Sequence, residues 1–246
     1  MVQTHVHDKN PVNNLFASIQ KHNVDNIPVY MTVFNGEQVT FSHNGKFIKE
    51  IYQDSNIFNS HLIDRSLKVQ SLRLNLHKIG ISNNWMILSA YHVFTSDFHV
   101  KDMFHNNQLK YYVTGLAHDE LKPVEPILNE FGLKLPTFIS SPLPRIWSTS
   151  ALQNLDRVLS SRGITTDNLI ALIETKTNIK FKDYMLYSSL IESYYDDLDM
   201  QPPLLIDLSD SKINTDAISR RLPTVGLSLS RDISTYGDQL RKVLAS

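Results

Sequence analysis

Val29–Tyr52, VYMTVFNGEQVTFSHNGKFIKEIY, is the stretch whose reading decides the fold. It carries two Asn-Gly pairs, Asn35-Gly36 and Asn44-Gly45, each flanked by β-branched and aromatic residues. Asn-Gly supplies the two positive-φ positions of a type I′ turn, whose twist matches the strands it joins. The spacing predicts three antiparallel strands and two tight hairpins. That register sets Tyr30 opposite Phe41, and Phe41 opposite Ile48, in one aromatic–aliphatic row with Phe34, Val39 and Tyr52. Val29, Met31, Val33, Phe47 and Ile51 share the other face with Gln38, Thr40, Ser42 and Lys49. A meander with one apolar face is unstable alone and needs a cover.

Working outward, Pro11 can open a helix on which Val12, Leu15, Phe16 and Ile19 recur at helical spacing. On the other side, Leu67 and Val69 alternate in one phase and Leu72, Leu74 and Leu76 in another. A β-bulge at Gln70-Ser71 accounts for the slip, and a broken helix is the alternative. The runs WMILSAYHVF and LKYYVTGLAH read as strands, the first as a central one.

The texture then changes. Val124 to Phe131 reads as a short helix closed by Gly132 at C′. LKLPTFISSPLPRIW holds Pro136, Pro142 and Pro144 and reads as an extended crossing. Ser150 and Gln153 fit a capping box before the stripe Leu152, Leu155, Val158, Leu159, which Gly163 ends. Leu169, Leu172 and Ile173 mark a second helix. Tyr187, Leu190, Ile191, Tyr194 and Leu198 mark a third, with Ser188, Glu192 and Asp196 opposite. PPLLIDLSD holds a strand at Leu204–Leu208, and two short helices close the chain.

The fold class expected is therefore α+β. An N-terminal antiparallel or mixed sheet, built on the meander at 29–52, precedes a mainly helical part with one returning strand near 204–208. In domain terms this gives a sheet-rich part at 1–135, the proline-rich crossing at 136–149 and a helical part at 150–246. If the strand at Leu204 rejoins the sheet, the chain is one continuous α+β domain.

Composition narrows the function classes. The 246 residues are 41% hydrophobic and 20% charged, with a net charge of −1 and no cysteine. Those proportions belong to an ordinary folded chain. Thiolate metal sites and cysteine nucleophiles are excluded. A charge near zero does not favour nucleic acid as a partner. No signal peptide and no membrane-length apolar run is visible, so the expectation is a cytoplasmic protein without membrane contact, in host cytoplasm if phage-encoded. Eight glycines and no Gly-rich motif leave no phosphate-cradling loop of that kind.

Four groups of residues could carry chemistry. His5-Val6-His7-Asp8 has the H-x-H spacing of metal-dependent hydrolases, though it sits almost at the chain start. Asp207 at the end of an apolar strand, with Asp210, occupies a common place for divalent-metal ligands, and equally fits a turn or helix cap. His92, within the apolar run Ala90–Phe94, offers a general base or a satisfied core histidine. Arg220, Arg221, Arg231 and Arg241 give the last stretch a basic bias suited to phosphate or an acidic partner.

No nucleophile motif accompanies these groups. The resulting expectation is a non-catalytic interaction or assembly protein, of phage or other mobile-element origin, that binds a protein partner or itself and needs no cofactor. The alternative is a metal-dependent hydrolase or nuclease that uses Asp207 and Asp210 with histidines and a divalent metal. Single-stranded nucleic-acid binding through aromatics is a third reading.

Overall fold

The computed structural model describes residues 2–4, 9–33, 48–53, 70–71, 73–80, 82–105, 108–117, 119–140, 145–196, 198–201, 205–207, 226–228, 235 and 238–239. In chain order it begins with β1 (Val2–Thr4), α1 (Lys9–His22), β2 (Val29–Val33) and β3 (Ile48–Gln53). Then come β4 (Asn84–Ser89), β5 (His92–Phe94), β6 (Phe104–His105) and β7 (Gln108–Leu116). α2 (Glu125–Glu130), β8 (Phe138–Ser140), β9 (Arg145–Ser148), α3 (Thr149–Ser160), α4 (Thr166–Thr177) and α5 (Asp183–Tyr194) follow. β10 (Asp199–Gln201), β11 (Leu205–Asp207) and β12 (Gly226–Ser228) complete the series. The class is α+β.

Two compact units result, and both are discontinuous in sequence. The first comprises Met1–Gln53, Leu88–His105 and Pro203–Ser246; the second comprises Asp54–Ile87 and Asn106–Pro202.

In the first unit β1 lies between β2 and the last two residues of β4, with all pairings parallel: Val2 opposite Met31, and Val2 opposite Leu88. β2 then pairs with β3, again parallel. This corrects the meander. Its first and third strands form at the expected residues and run in the same direction, but they pair directly, with no strand between them. Parallel neighbours need a crossover of a dozen or more residues, and 34–47 are long enough to supply it. Both Asn-Gly pairs lie there, outside the described residues.

The buried face differs as well. Val29 and Met31 are buried while Tyr30 is only half-buried. A strand in a parallel sheet is covered on both sides and loses the clean alternation on which the row Tyr30–Phe41–Ile48 depended.

α1 buries Val12, Leu15, Phe16 and Ile19, the stripe read from the sequence. Its Ser18 hydroxyl accepts the Phe94 N–H at 3.1 Å, which fixes the helix to β5. The strand near Leu204 does not lie in the parallel sheet. As β11 it pairs with β12, and β12 pairs antiparallel with β5.

In the second unit β9 pairs antiparallel with Asn84–Ile87, setting Trp85 opposite Trp147. β7 pairs with β8 and β10. WMILSAYHVF is therefore two strands parted by a turn at Ala90-Tyr91. The alternating leucines also mislead: 70–71 and 73–75 are helical and run into a 3₁₀ turn at Leu76–Ile79. The broken-helix alternative is the one that holds.

α2 ends as expected, with Gly132 at φ 69. α3 is capped by Ser148 rather than Ser150: the Ser148 hydroxyl accepts the Ala151 N–H at 3.4 Å. α5 buries more than one stripe, because Ser188 and Ser189 are fully covered. Its polar side holds neighbouring chain instead of facing water. Glu192 accepts the N–H groups of Thr137 (2.7 Å) and Phe138 (3.0 Å), and Ser193 accepts that of Lys134 (2.8 Å).

Candidate functional site

β1 is the strand at which the first unit's parallel sheet changes direction. The chain leaves it through α1 to β2 on one side, and β4 lies on the other. In open α/β sheets the ligand crevice forms outside the carboxyl ends of the strands at such a switch point. Those ends are Thr4 of β1 and Ser89 of β4.

The turn after β4, Ser89-Ala90-Tyr91-His92, is held by its own side chains. The Ser89 N–H donates to His92 Nδ1 at 3.3 Å, and the Tyr91 N–H donates to the Ser89 hydroxyl at 3.4 Å. His92 is 1% exposed.

Strand register brings two of the sequence candidates into one row. His92 lies opposite Ser228, and Ser228 lies opposite Asp207. At roughly 4.8 Å per strand, the backbones of His92 and Asp207 stand about 10 Å apart. His5, His7, Asp8, Asp210, Arg220, Arg221, Arg231 and Arg241 lie outside the described residues. Among the described residues, no group of three or more His, Asp or Glu side chains is placed to hold a metal ion.

The same unit contains a feature not evident in the sequence. The end of α1 and the segment after β5 exchange two histidine–carboxylate pairs: His22 with Asp97 (3.0 Å) and His99 with Asp25 (3.1 Å). The Val100 N–H and the His99 ring hold the Asp25 carboxyl below the usual carboxylate range. The Phe98 N–H donates to the His22 carbonyl at 3.0 Å.

The second unit buries charge. Asp183 Oδ2 lies 3.4 Å from both Arg145 Nη1 and Arg73 Nη1, with Arg145 and Asp183 each 2% exposed. Burial lowers the Arg145 guanidinium to about 10, against the opposing pull of Asp183. Its Cζ sits 4.8 Å from the Trp147 ring centroid and 5.3 Å from that of Tyr184. His77 is also buried, with Nδ1 3.0 Å from the Leu74 carbonyl and Nε2 2.9 Å from Asp156. Both clusters belong to the second unit.

Comparison with known proteins extends this geometry. No family model and no curated protein matches the chain. Solved structures do. The galactosyltransferase LgtC, in complex with donor and acceptor sugar analogs, superposes with a TM-score of 0.56 at 9% identity, over 99% of this chain and 94% of that one. An active-site mutant of LgtC gives 0.54 at 8% identity over the same shares. At such identity the likeness is one of fold.

That likeness overturns the expected function. The chain follows, over nearly its whole length, the fold of structures that transfer galactose. The expectation of a phage-type interaction or assembly scaffold is therefore set aside. Among the described residues no helix is long and apolar enough to cross a membrane.

Proposed function

We propose that this chain is a glycosyltransferase-like enzyme that binds an activated sugar donor at the carboxyl ends of β1 and β4. The observation that carries the reading is the parallel switch point at β1, within a fold shared over 99% of the chain with a galactosyltransferase bound to donor and acceptor sugar analogs. Switch-point crevices accept nucleotides, so the donor class is a sugar carried on a nucleoside diphosphate.

The chemistry then has a defined balance. An acceptor hydroxyl oxygen bonds to the anomeric carbon while the bond from that carbon to the diphosphate oxygen breaks. The diphosphate leaves with the electron pair, and the acceptor loses a proton. Two demands follow: positive charge or hydrogen-bond donors for the leaving diphosphate, and a well-held acceptor.

The turn Ser89–Tyr91 brings two hydroxyls to this edge and carries no carboxylate. A divalent cation is the natural counter-charge for a diphosphate, and the described residues at this edge do not form a ligand set for one. The residues described here bind and orient the donor.

The test is a panel of nucleoside-diphosphate sugars assayed for sugar transfer and donor hydrolysis, with Mn²⁺, with Mg²⁺ and with chelator. Turnover of one donor above the uncatalysed rate supports the reading. No turnover and no thermal shift with any donor in any metal condition overturns it.

A further inference from the structure

Strand order in the first unit delivers one carboxylate to the edge proposed above as the donor site. We infer that Asp207 is a donor-binding residue whose carboxylate accepts hydrogen bonds from paired hydroxyl groups of the nucleoside-diphosphate sugar. The inference rests on the reading of the β1–β4 edge as a donor site.

β5 begins at His92, directly after the turn that ends β4, and the Ser89 N–H lies 3.3 Å from His92 Nδ1. β5 therefore leads away from that edge. β12 runs antiparallel to β5, and β11 runs parallel to β12, so both run back toward it. Their last residues, Ser228 and Asp207, arrive in register with His92. β1, β2, β3 and β4 end in Thr4, Val33, Gln53 and Ser89, none of them acidic. Among the described residues, the first carboxylate after β4 is Asp97, which is paired with His22. Asp207 is thus the carboxylate that the topology brings to this edge.

An ionised carboxylate has lone pairs for two hydroxyl donors and no proton to give. It attracts hydroxyl groups and repels a diphosphate. A donor lying across the edge therefore turns hydroxyls toward the end of β11 and its diphosphate toward β1 and β4. Both the ribose and the transferred sugar carry such paired hydroxyls. The other common use of an aspartate after a strand, capping a turn or a helix, leaves ligand binding unchanged.

Asp207→Asn keeps the shape of the side chain and removes its charge. Calorimetric titration, with chelator and with Mn²⁺, compares native and variant chains for two ligands: the donor selected by the panel above and its bare nucleoside diphosphate. The variant should bind the sugar donor about ten- to a hundredfold more weakly, the loss of a hydrogen bond to a charged group. Loss with both ligands assigns the contact to the ribose, and loss with the sugar donor alone assigns it to the transferred sugar. An analogue lacking the assigned hydroxyls should bind native and variant chains alike, which a capping role would not produce.

Equal affinity of native and variant chains for both ligands overturns the inference and leaves the proposed function standing. A loss seen with Mn²⁺ and absent with chelator overturns it too, because the carboxylate then acts through the cation. A native chain that binds neither ligand in either condition fails the proposed function, and the inference with it. Should the variant not fold, carbodiimide labelling of Asp207 in the native chain reads the same contact. Labelling that the donor blocks supports the inference; labelling that the donor leaves unchanged, or no labelling, overturns it.

Discussion

Gln3 of β1 lies opposite Ser89 of β4, and the two strands run in the same direction. This pairing puts a parallel strand on each side of β1 and creates the switch point on which the proposed donor site rests. The functional reading depends on it, while the second unit depends on buried polar contacts that can be tested separately.

The Ser148 N–H donates to the Tyr187 hydroxyl at 2.9 Å, and both groups are buried. Tyr187→Phe keeps the ring and its packing on Trp147, with centroids 4.4 Å apart, but orphans the N–H. The loss should be about 1–3 kcal/mol. A lower urea midpoint with an unchanged slope would confirm it. Burial raises the Tyr187 phenol far beyond its ordinary range, so no tyrosinate signal from it should appear in an alkaline absorbance titration.

Asp183 is the counter-charge for Arg145. Asp183→Asn leaves that guanidinium buried without its carboxylate, and should destabilise the protein by about 3–5 kcal/mol. The double change Arg145→Met with Asp183→Leu should cost less than Asp183→Asn alone, because the more deeply buried of the two guanidinium groups is removed together with its counter-charge. A double-mutant cycle by chemical denaturation measures this.

Two carboxylates that feel the Lys78 charge should respond oppositely to acid. Burial raises Asp156, but the His77 hydrogen bond and the Lys78 charge outweigh it, so its carboxyl is held below the ordinary range. A carboxylate depressed on folding stabilises above its unfolded value, and the contribution is lost as pH falls through the folded value. Asp156→Asn should therefore lower the melting temperature near neutrality and reduce its decline in acid.

Asp167 is raised by burial, against the pull of the Ser71 hydroxyl and Lys78. Its charged form is disfavoured on folding, so its contribution is unfavourable once pH exceeds the unfolded value and both forms ionise. Asp167→Asn should leave the melting temperature at neutral pH unchanged or raise it. A clear fall would show that the charge has a partner that outweighs its desolvation.

These contrasts also show what was legible from the sequence. The stripes Leu152–Leu155–Leu159 and Leu169–Ile173 specify helices because a 3.6-residue period survives burial on one side. Strand propensity likewise located Val29–Val33 and Ile48–Gln53. Their adjacency was not legible, since β-branched residues mark a strand without naming its neighbour, and two Asn-Gly pairs argued for hairpins. Leu72, Leu74 and Leu76 alternate like a strand in a segment whose described residues are helical and 3₁₀.

The site was legible only in part. His92 stands out as a histidine in an apolar run, while one of its contacts is a backbone N–H, a group that every residue but proline possesses. Arg145 meets Asp183 across 38 positions and His77 meets Asp156 across 79, with no local pattern to announce either. The expected absence of catalysis rested on missing motifs, and a crevice formed by strand order needs none.

The most direct test of the central claim is photo-crosslinking with a nucleoside-diphosphate sugar bearing a photoreactive group, followed by peptide mapping. Labelling should concentrate on the peptides that follow Thr4 and contain Ser89–His92, and unlabelled donor should compete it away. Competable labelling confined to peptides of the second unit, or no competable labelling at all, would contradict a donor site at the carboxyl ends of β1 and β4.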